Sequence, residues 1–275
     1  MPQRQRLTML FDGVVYALTG AAAGFFAGLL GIGGGVIISP LLIFFLPTKM
    51  AAEVSTHAAI ATALAITTVT TAASFITHAK SGAVHWRSGI MLAIGAAAAA
   101  VVVGAFAWRI PAAALQSFLA VFLLFVGITM LRAKKQQQQQ PPQSPPVLPA
   151  PLCITTGGII GALSAVLGIA GGVMTVPFLA RRRFAMHRAI GTSAFVGFPL
   201  TAAACAGYIG GGWHHPGLPP DSWGFVYPPA FFGIALFSVI FAAAGAKTTA
   251  RLPESVLRKV FGALLLVAAG RLLFW

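Results

Sequence analysis

The sequence is poor in charged residues, and above all in acidic ones. Of its 275 residues, 8% are charged and 58% are hydrophobic, whereas about a quarter of the residues in a soluble domain are charged. With 18 Lys and Arg and 4 Asp and Glu, the chain cannot cover a globular surface, so lipid must face most of it. The net charge of +14 does not indicate nucleic-acid binding, because the basic residues lie at the ends of apolar runs, as in cytoplasmic loops of membrane proteins.

Motifs for several other kinds of chemistry are missing. The two cysteines, Cys153 and Cys205, lie in apolar segments and predict neither a disulfide framework nor a metal cluster. No GxxxxGK[ST] sequence is present for ATP-driven transport. His214 and His215 are adjacent but lack a third ligand, so we predict a loop surface there. We expect no cofactor, no metal and no enzymatic activity.

The apolar runs predict an all-α polytopic membrane protein. A spanning helix needs about 20 apolar residues, and the chain holds about eight such segments. The basic N-terminus and the apolar run after it resemble a signal peptide, but we expect them to be retained because they have a counterpart later in the chain. Residues 133–151, rich in Gln and Pro, predict a disordered linker between a first membrane repeat, 1–132, and a second, 152–275.

An internal repeat supports this division. Residues 19–42 align with 156–179 without a gap, and 11 of the 24 positions are identical, among them ordered Gly, Ile and Pro residues. Glycines at i+4 spacing upstream of the motif favour close helix packing. Duplicated membrane units are common in secondary transporters, which bind substrate between the halves near the bilayer midplane.

The strongest motif in each repeat is a glycine cluster, GIGGG at 31–35 and GIAGG at 168–172. Each glycine costs a helix about 1 kcal/mol relative to alanine, so we predict broken helices at both places. The amides that follow would form N-terminal nests suited to an anion. The predicted substrate-binding residues are Gly31, Gly33, Gly34, Gly35, Val36, Gly168, Gly171, Gly172 and Val173, together with the hydroxyl-bearing Ser55, Thr56, Thr192 and Ser193.

The hydroxyl residues have an equally good structural interpretation as helix caps or interhelical hydrogen bonds. Glu53 and His57 lie at i and i+4 and so share a helix face. They could form a proton-coupling pair, although a solvated Glu53 that pairs with Lys49 is the plainer interpretation. If the chain were instead a membrane-embedded enzyme or assembly factor, His57 and Glu53 would be the residues it used.

Charge counting favours one topology. If every segment crosses the membrane, the basic residues divide 8 against 10. If 13–48 and 152–180 instead enter, turn at the glycines and return, one side receives 13 of 18, and the two repeats are inverted. Making only the second segment re-entrant gives 15 against 3, but homologous segments would then fold differently. We prefer the inverted arrangement.

These motifs resemble the TauE/SafE family, the sulfite exporters or sulfonate uptake permeases. The match lies in GLLGIGGGVIISPLL at 28–42, AVLGIAGGVMTVPFL at 165–179 and AIGTSAF at 189–195. The resemblance implies a multi-pass protein of the bacterial inner membrane that moves small sulfur-containing or related organic anions, with lipid and substrate as its partners. The motif positions are Gly31, Gly34, Gly35, Pro40, Gly168, Gly171, Gly172, Pro177, Gly191, Thr192 and Ser193. Ala170 replaces the middle glycine of the second copy.

Overall fold

The computed structural model describes residues 3–30, 33–132, 148–248 and 254–273, and this part of the chain is almost entirely helical. Two short 3-10 turns, Leu46–Thr48 and Ala107–Arg109, each extend the C-terminal end of an α-helix. The α-helices of the described residues are α1 (Gln3–Leu30), α2 (Gly35–Phe45), α3 (Ala52–Lys80), α4 (Trp86–Phe106), α5 (Ala112–Arg132), α6 (Ala150–Leu167), α7 (Gly172–Arg181), α8 (Met186–Gly212), α9 (Pro228–Thr248) and α10 (Glu254–Leu273).

Seven of the described helices are long and apolar enough to cross a membrane, which agrees with the predicted polytopic all-α class. The count is lower than the expected eight segments. The helix α10 has 20 residues but is not among the seven, because any 18-residue window of it contains Arg258, Lys259 and Arg271. Large apolar side chains such as Leu18 (67% exposed) and Phe125 (65% exposed) lie on the outer surface, as expected for a protein that faces lipid.

The α6 helix begins at the end of the range predicted to be a linker. Residues 133–147 lie outside the described part, but Leu148 and Pro149 are described and α6 already begins at Ala150. Pro149 is the N-cap of this helix and Pro151 lies in its first turn, where proline is tolerated because no intrahelical N–H bond is lost. The extent of the linker and its role between two repeats stay predictions.

Small residues bring the helices close together. A Cβ on Gly24 would contact the carbonyl oxygen of Ser238 in α9, and one on Gly161 would contact that of Ala96 in α4. The backbones at these crossings are thus in direct contact, as the i+4 glycine spacing predicted. This close packing fixes the position of the two segments that carry the glycine clusters.

Contacts at matching positions show which helices run in the same direction. The α1, α3 and α9 helices are parallel to one another, and so are α4, α6 and α8. The neighbours are Tyr16 with Gly233 and Phe25 with Gly245 (α1 and α9), Thr62 with Tyr227 and Thr70 with Ser238 (α3 and α9), Leu92 with Gly157 and Ala96 with Gly161 (α4 and α6), and Gly89 with Thr192 and Gly104 with Ala204 (α4 and α8).

The two groups meet at the centre, where α3 and α8 run antiparallel. Gly197 lies beside Thr71, and Gly191 lies beside Ala83. The α3 span is 67% buried and the α8 span 56%, more than any other candidate span. The candidate site therefore has α3 and α8 as its innermost walls.

The turn before α4 packs against the turn before α8. The backbone N–H of His85 donates to Thr192 Oγ1 at 2.9 Å, and the imidazole ring lies 5.2 Å from the ring of Phe184. Burial, followed by the positive charges of Arg188 and Arg87, lowers the pKa of His85. Basic residues of both halves thus meet at one end of the helix bundle.

Candidate functional site

The first glycine cluster breaks the helix, as predicted. The α1 helix ends at Leu30 and α2 begins at Gly35. Gly33 and Gly34 have φ values of 77° and 70°, which L-residues with a Cβ adopt only at a cost. Gly31 and Ile32, the first residues of the cluster, lie outside the described residues.

The second cluster breaks in the same way. Gly168 ends α6 with φ 71°, and Gly171, also at φ 71°, is the N-cap of α7. The N–H groups of Gly168 and Ile169 both donate to the carbonyl oxygen of Ser164, which closes the C-terminus of α6. Three residues after Ile169, the chain starts α7 at Gly172.

Beyond the first break, the chain returns along α1 as a helical hairpin. Gly34 packs on α1, since a Cβ there would lie 2.9 Å from the carbonyl oxygen of Ala23. Further along, the rings of Tyr16 and Phe45 are 5.3 Å apart. The base is closed by an ion pair between Lys49 Nζ and Asp12 Oδ2 at 2.6 Å. The first segment thus starts and ends at the same end of the bundle.

The tips of the two helical hairpins touch. A Cβ on Gly33 would overlap the Cβ of Ala170, and one on Gly35 would lie 2.6 Å from the carbonyl oxygen of Gly168. The Ser39 hydroxyl donates to that same carbonyl at 2.7 Å. Every described residue from Gly33 to Pro40 is buried, as are Gly168 to Gly172. We name this contact region, formed by residues 33–39 and 168–173, the glycine junction.

Each helix that leaves the glycine junction presents amide groups that have no acceptor among the described residues. The carbonyl oxygen of Gly34 accepts from the N–H of Ile37 and Ile38, and that of Gly171 accepts in the same way from the third and fourth residues of α7. The N–H groups closer to each helix start have no intrahelical acceptor. Among the described residues, no acceptor is recorded for those of Val36, Gly172 and Val173.

Three buried hydroxyls were missed by the sequence analysis: those of Thr67 and Ser164 lie beside the glycine junction, and Thr175 lies in α7, two residues beyond it. Thr67, Ser164 and Thr175 are at most 1% exposed, and their oxygens have no hydrogen-bond partner among the described residues. Thr67 Oγ1 lies 3.0 Å from the position of a Cβ on Gly35, and Ser164 Oγ lies 3.1 Å from that of one on Gly171. Unpaired buried hydroxyls are costly, so these three are candidates to contact a ligand.

Of these three residues, only Thr67 belongs to a sequence pattern from which a role at the site could have been predicted. It belongs to the run TTVTT at 67–71, in which Thr67 and Thr71 lie at i and i+4 and therefore share one helix face. The methyl groups of both residues approach Gly33. A Cβ placed on Gly33 would lie 3.1 Å from the methyl carbon of Thr67 and 2.9 Å from that of Thr71. Ser164 and Thr175 correspond to Ala27 and Ile38 in the first repeat, so comparison of the repeats did not reveal them.

The predicted hydroxyls near the starts of α3 and α8 are occupied elsewhere. Ser55 donates to the Ala52 carbonyl within its own first turn. Thr56 Oγ1 accepts from the Gln116 amide at 2.7 Å, and Thr192 Oγ1 accepts from the N–H of His85. Ser193, the residue after Thr192, is also buried. None of the three recorded partners belongs to the glycine junction, so a role for these residues in binding stays a prediction.

Glu53 and His57 are not joined to each other in the structure. Glu53 is exposed, whereas His57 is 5% exposed and its Nε2 lies 3.0 Å from the Ile110 carbonyl oxygen. The imidazole packs beside the ring of Phe225, 5.6 Å away. In the part of the chain that the structure describes, no carboxylate–imidazole hydrogen bond links the pair. Proton coupling through them stays a prediction.

Comparison with known sequences identifies relatives over almost the whole chain. The sequence model of the family described as "Sulfite exporter TauE/SafE" matches residues 16–272. A "Probable membrane transporter protein" of Haemophilus influenzae is 35% identical over 255 residues, which cover 92% of this chain and 94% of the relative. Another, from Methanocaldococcus jannaschii, is 27% identical over 186 residues, or 67% of each chain. No solved structure matches the chain.

Proposed function

We propose that this chain, which belongs to the TauE/SafE family of membrane transporters, moves a small anion across the bacterial inner membrane as a secondary transporter. The substrates we propose are sulfite, a sulfonate, or a related organosulfur or carboxylate compound. The substrate would bind at the glycine junction, near the midplane of the bilayer. Membership in a transporter family also favours transport over enzymatic activity.

The observation that carries this proposal is the contact between two broken helices. The α2 and α7 helices both begin at the glycine junction, and their first amides, at Val36, Gly172 and Val173, have no acceptor among the residues that the structure describes. Free N–H groups at a helix N-terminus favour an anion, because the partial positive charge of the helix end lies there. Broken helices at membrane depth are also the usual substrate sites of secondary transporters.

We further propose that 1–132 and 152–275 are two inverted membrane repeats. Helix directions support this, because α1 is parallel to α3 and α9, whereas α6 is parallel to α4 and α8, and the two groups meet antiparallel at α3 and α8. The first helical hairpin would then enter from one side of the membrane and the second from the other.

Charge placement supports the same arrangement. The turn that holds Arg87 packs against the segment that holds Arg188, which puts these basic residues at one end of the bundle. The inverted arrangement predicted them together, whereas simple crossing of all eight segments predicted them on opposite sides. By the rule that basic loops stay inside, this end would face the cytoplasm.

Counterflow in proteoliposomes tests the proposed function. The purified protein is reconstituted, and exchange of labelled sulfite, taurine and sulfoacetate is measured for the wild type, Gly34→Val and Gly171→Val. We expect exchange of at least one compound by the wild type and its loss in both variants, because a branched side chain cannot adopt the left-handed backbone at these positions.

Gly210→Val is the matched control, since a Cβ at Gly210 meets nothing within 4 Å and that position lies inside a regular helix. Thermal unfolding in detergent identifies variants that fail to fold. If the wild type exchanges none of the three compounds, or if folded Gly34→Val and Gly171→Val exchange them at the control rate, the proposal is wrong.

A further inference from the structure

We propose that the glycine junction binds its substrate as a monovalent oxyanion and discriminates against divalent ones. This statement rests on the anion transport proposed above and specifies the charge of the substrate. It predicts that hydrogensulfite, an alkanesulfonate or a monocarboxylate is carried, whereas sulfite dianion and sulfate are carried poorly.

The first reason is the absence of a formal cation at the site. Among the charged residues whose side chains the structure describes, none is buried. The partly buried pair Asp12 and Lys49 lies at the base of the first helical hairpin and is already neutralised by its own ion pair. The two residues of the clusters that lie outside the described part are Gly31 and Ile32, and neither carries charge.

The second reason is the amount of positive charge that the two helix ends supply. An α-helix N-terminus is equivalent to roughly half an elementary charge, so α2 and α7 together supply at most about one, and the C-terminal ends of α1 and α6 at the same junction reduce this amount. A monovalent anion would therefore be balanced by at most this amount, whereas a divalent anion would keep at least about one uncompensated charge in a buried site. The desolvation cost of an ion also rises with the square of its charge, and burial without a counter-charge is expensive.

The third reason is the kind of hydrogen-bonding groups that remain unpaired. Thr67, Ser164 and Thr175 offer hydroxyls, which both donate and accept, whereas amide N–H groups only donate. Hydroxyls can donate to the oxygens of a sulfonate, and one of them can accept a hydrogen bond from the hydroxyl of hydrogensulfite. Arg and Lys, the donors that form the strongest hydrogen bonds to doubly charged groups, are not among residues 33–39 and 168–173.

Competition by two tetrahedral anions of different charge tests the proposal. Exchange of labelled sulfite by wild-type proteoliposomes is measured with methanesulfonate, which is monovalent, or sulfate, which is divalent, as competitor. We expect sulfate to inhibit at least about tenfold more weakly, which corresponds to about 1.4 kcal/mol. Equal inhibition by the two anions would overturn the proposal while leaving anion transport intact. If none of labelled sulfite, taurine and sulfoacetate is exchanged, the proposed function itself fails.

A pH series provides a second readout. As pH rises through the second ionisation of sulfurous acid, hydrogensulfite becomes sulfite, so the KM for total sulfite should rise. Methanesulfonate does not change its charge over this range, so its inhibition constant should stay constant and thereby controls for effects of pH on the protein. A KM for total sulfite that falls as pH rises would contradict the proposal.

Hydroxyl removal tests the residues. Thr67→Val should raise the inhibition constant of methanesulfonate about tenfold or more, the effect expected for loss of a hydrogen bond to a charged group, and Thr67→Ser should restore it. The matched control is Thr201→Val, because Thr201 is equally buried but donates to Gly197 within its own helix. If folded Thr67→Val binds methanesulfonate like the wild type, the Thr67 hydroxyl does not contact the substrate and this part of the proposal is wrong.

Discussion

The hydrogen bond from Ser39 to the Gly168 carbonyl provides a direct test of the glycine junction. This bond is 2.7 Å long, and it joins the two helical hairpins across 129 residues of sequence. The Ser39 side chain is 0% exposed, so no water replaces the hydroxyl when it is removed. Ser39→Ala would leave the Gly168 carbonyl oxygen, at the end of α6, without the hydroxyl that donates to it.

The expected loss of stability follows from two measured tendencies. Hydrogen bonds between membrane helices contribute on average about 0.6 and at most about 1.7 kcal/mol. A buried group left unsatisfied costs about 1–3 kcal/mol. Because Ser39→Ala does both, we expect a decrease of about 1–2 kcal/mol in the free energy of unfolding, a change of roughly 5- to 30-fold in the unfolding equilibrium.

The measurement is unfolding by sodium dodecyl sulfate in mixed micelles, followed by tryptophan fluorescence. Two serine-to-alanine variants serve as controls. Ser55 is as well buried, but its hydroxyl donates only to Ala52 in the same turn. Ser74 is buried, and its hydroxyl has no recorded partner among the described residues, so its removal should be neutral or stabilising. If Ser39→Ala loses no more stability than these two controls, the contact between the hairpins does not hold the glycine junction together.

Three further predictions concern the hairpin and the turns around it. Gly171→Ala should lower the free energy of unfolding by about 1–2 kcal/mol because of the left-handed backbone, whereas Gly210→Ala should raise it slightly; equal effects would refute the reasoning. Asp12→Asn should cost less than about 1 kcal/mol, since its ion pair with Lys49 is partly exposed, and the difference from wild type should shrink in high salt. The pKa of His85 is lowered in the fold, so the folded state favours the neutral imidazole. The free energy of unfolding, measured from pH 8 to 5, should therefore decrease as the pH falls below about 6.5. This decrease should be smaller in His85→Asn.

The helix breaks at the two glycine clusters could be predicted from the sequence alone. Runs of glycine destabilise a helix through local backbone entropy, so the breaks near Gly34 and Gly171 could be located without knowledge of any neighbour. The membrane class followed from composition in the same way, because it depends on the total number of charges. The segment count was less certain, since Arg258, Lys259 and Arg271 exclude α10 from the seven candidate spans.

Hydroxyl partners were predicted less well. Thr56 and Thr192 were expected to face the substrate or to form structural hydrogen bonds, and the structure gives both a partner, Gln116 and the backbone of His85. Thr67, by contrast, was not predicted to bind the substrate. In the structure it is buried beside Gly35, and its hydroxyl has no hydrogen-bond partner among the described residues. Whether a hydroxyl is paired depends on residues far away in the sequence, which no local pattern reports.

The sequence by itself determined that this chain lies in a membrane, that it is helical, and that two of its helices break at glycines, because composition and backbone propensity act locally. Only the tertiary structure decided that the tips meet at Gly33 and Ala170 and that Ser39 reaches Gly168. It also brought Thr67 and Ser164 to these tips. The physical reason is that small residues permit close helix contact at many positions, and the choice among them is made by the packing of all the helices together.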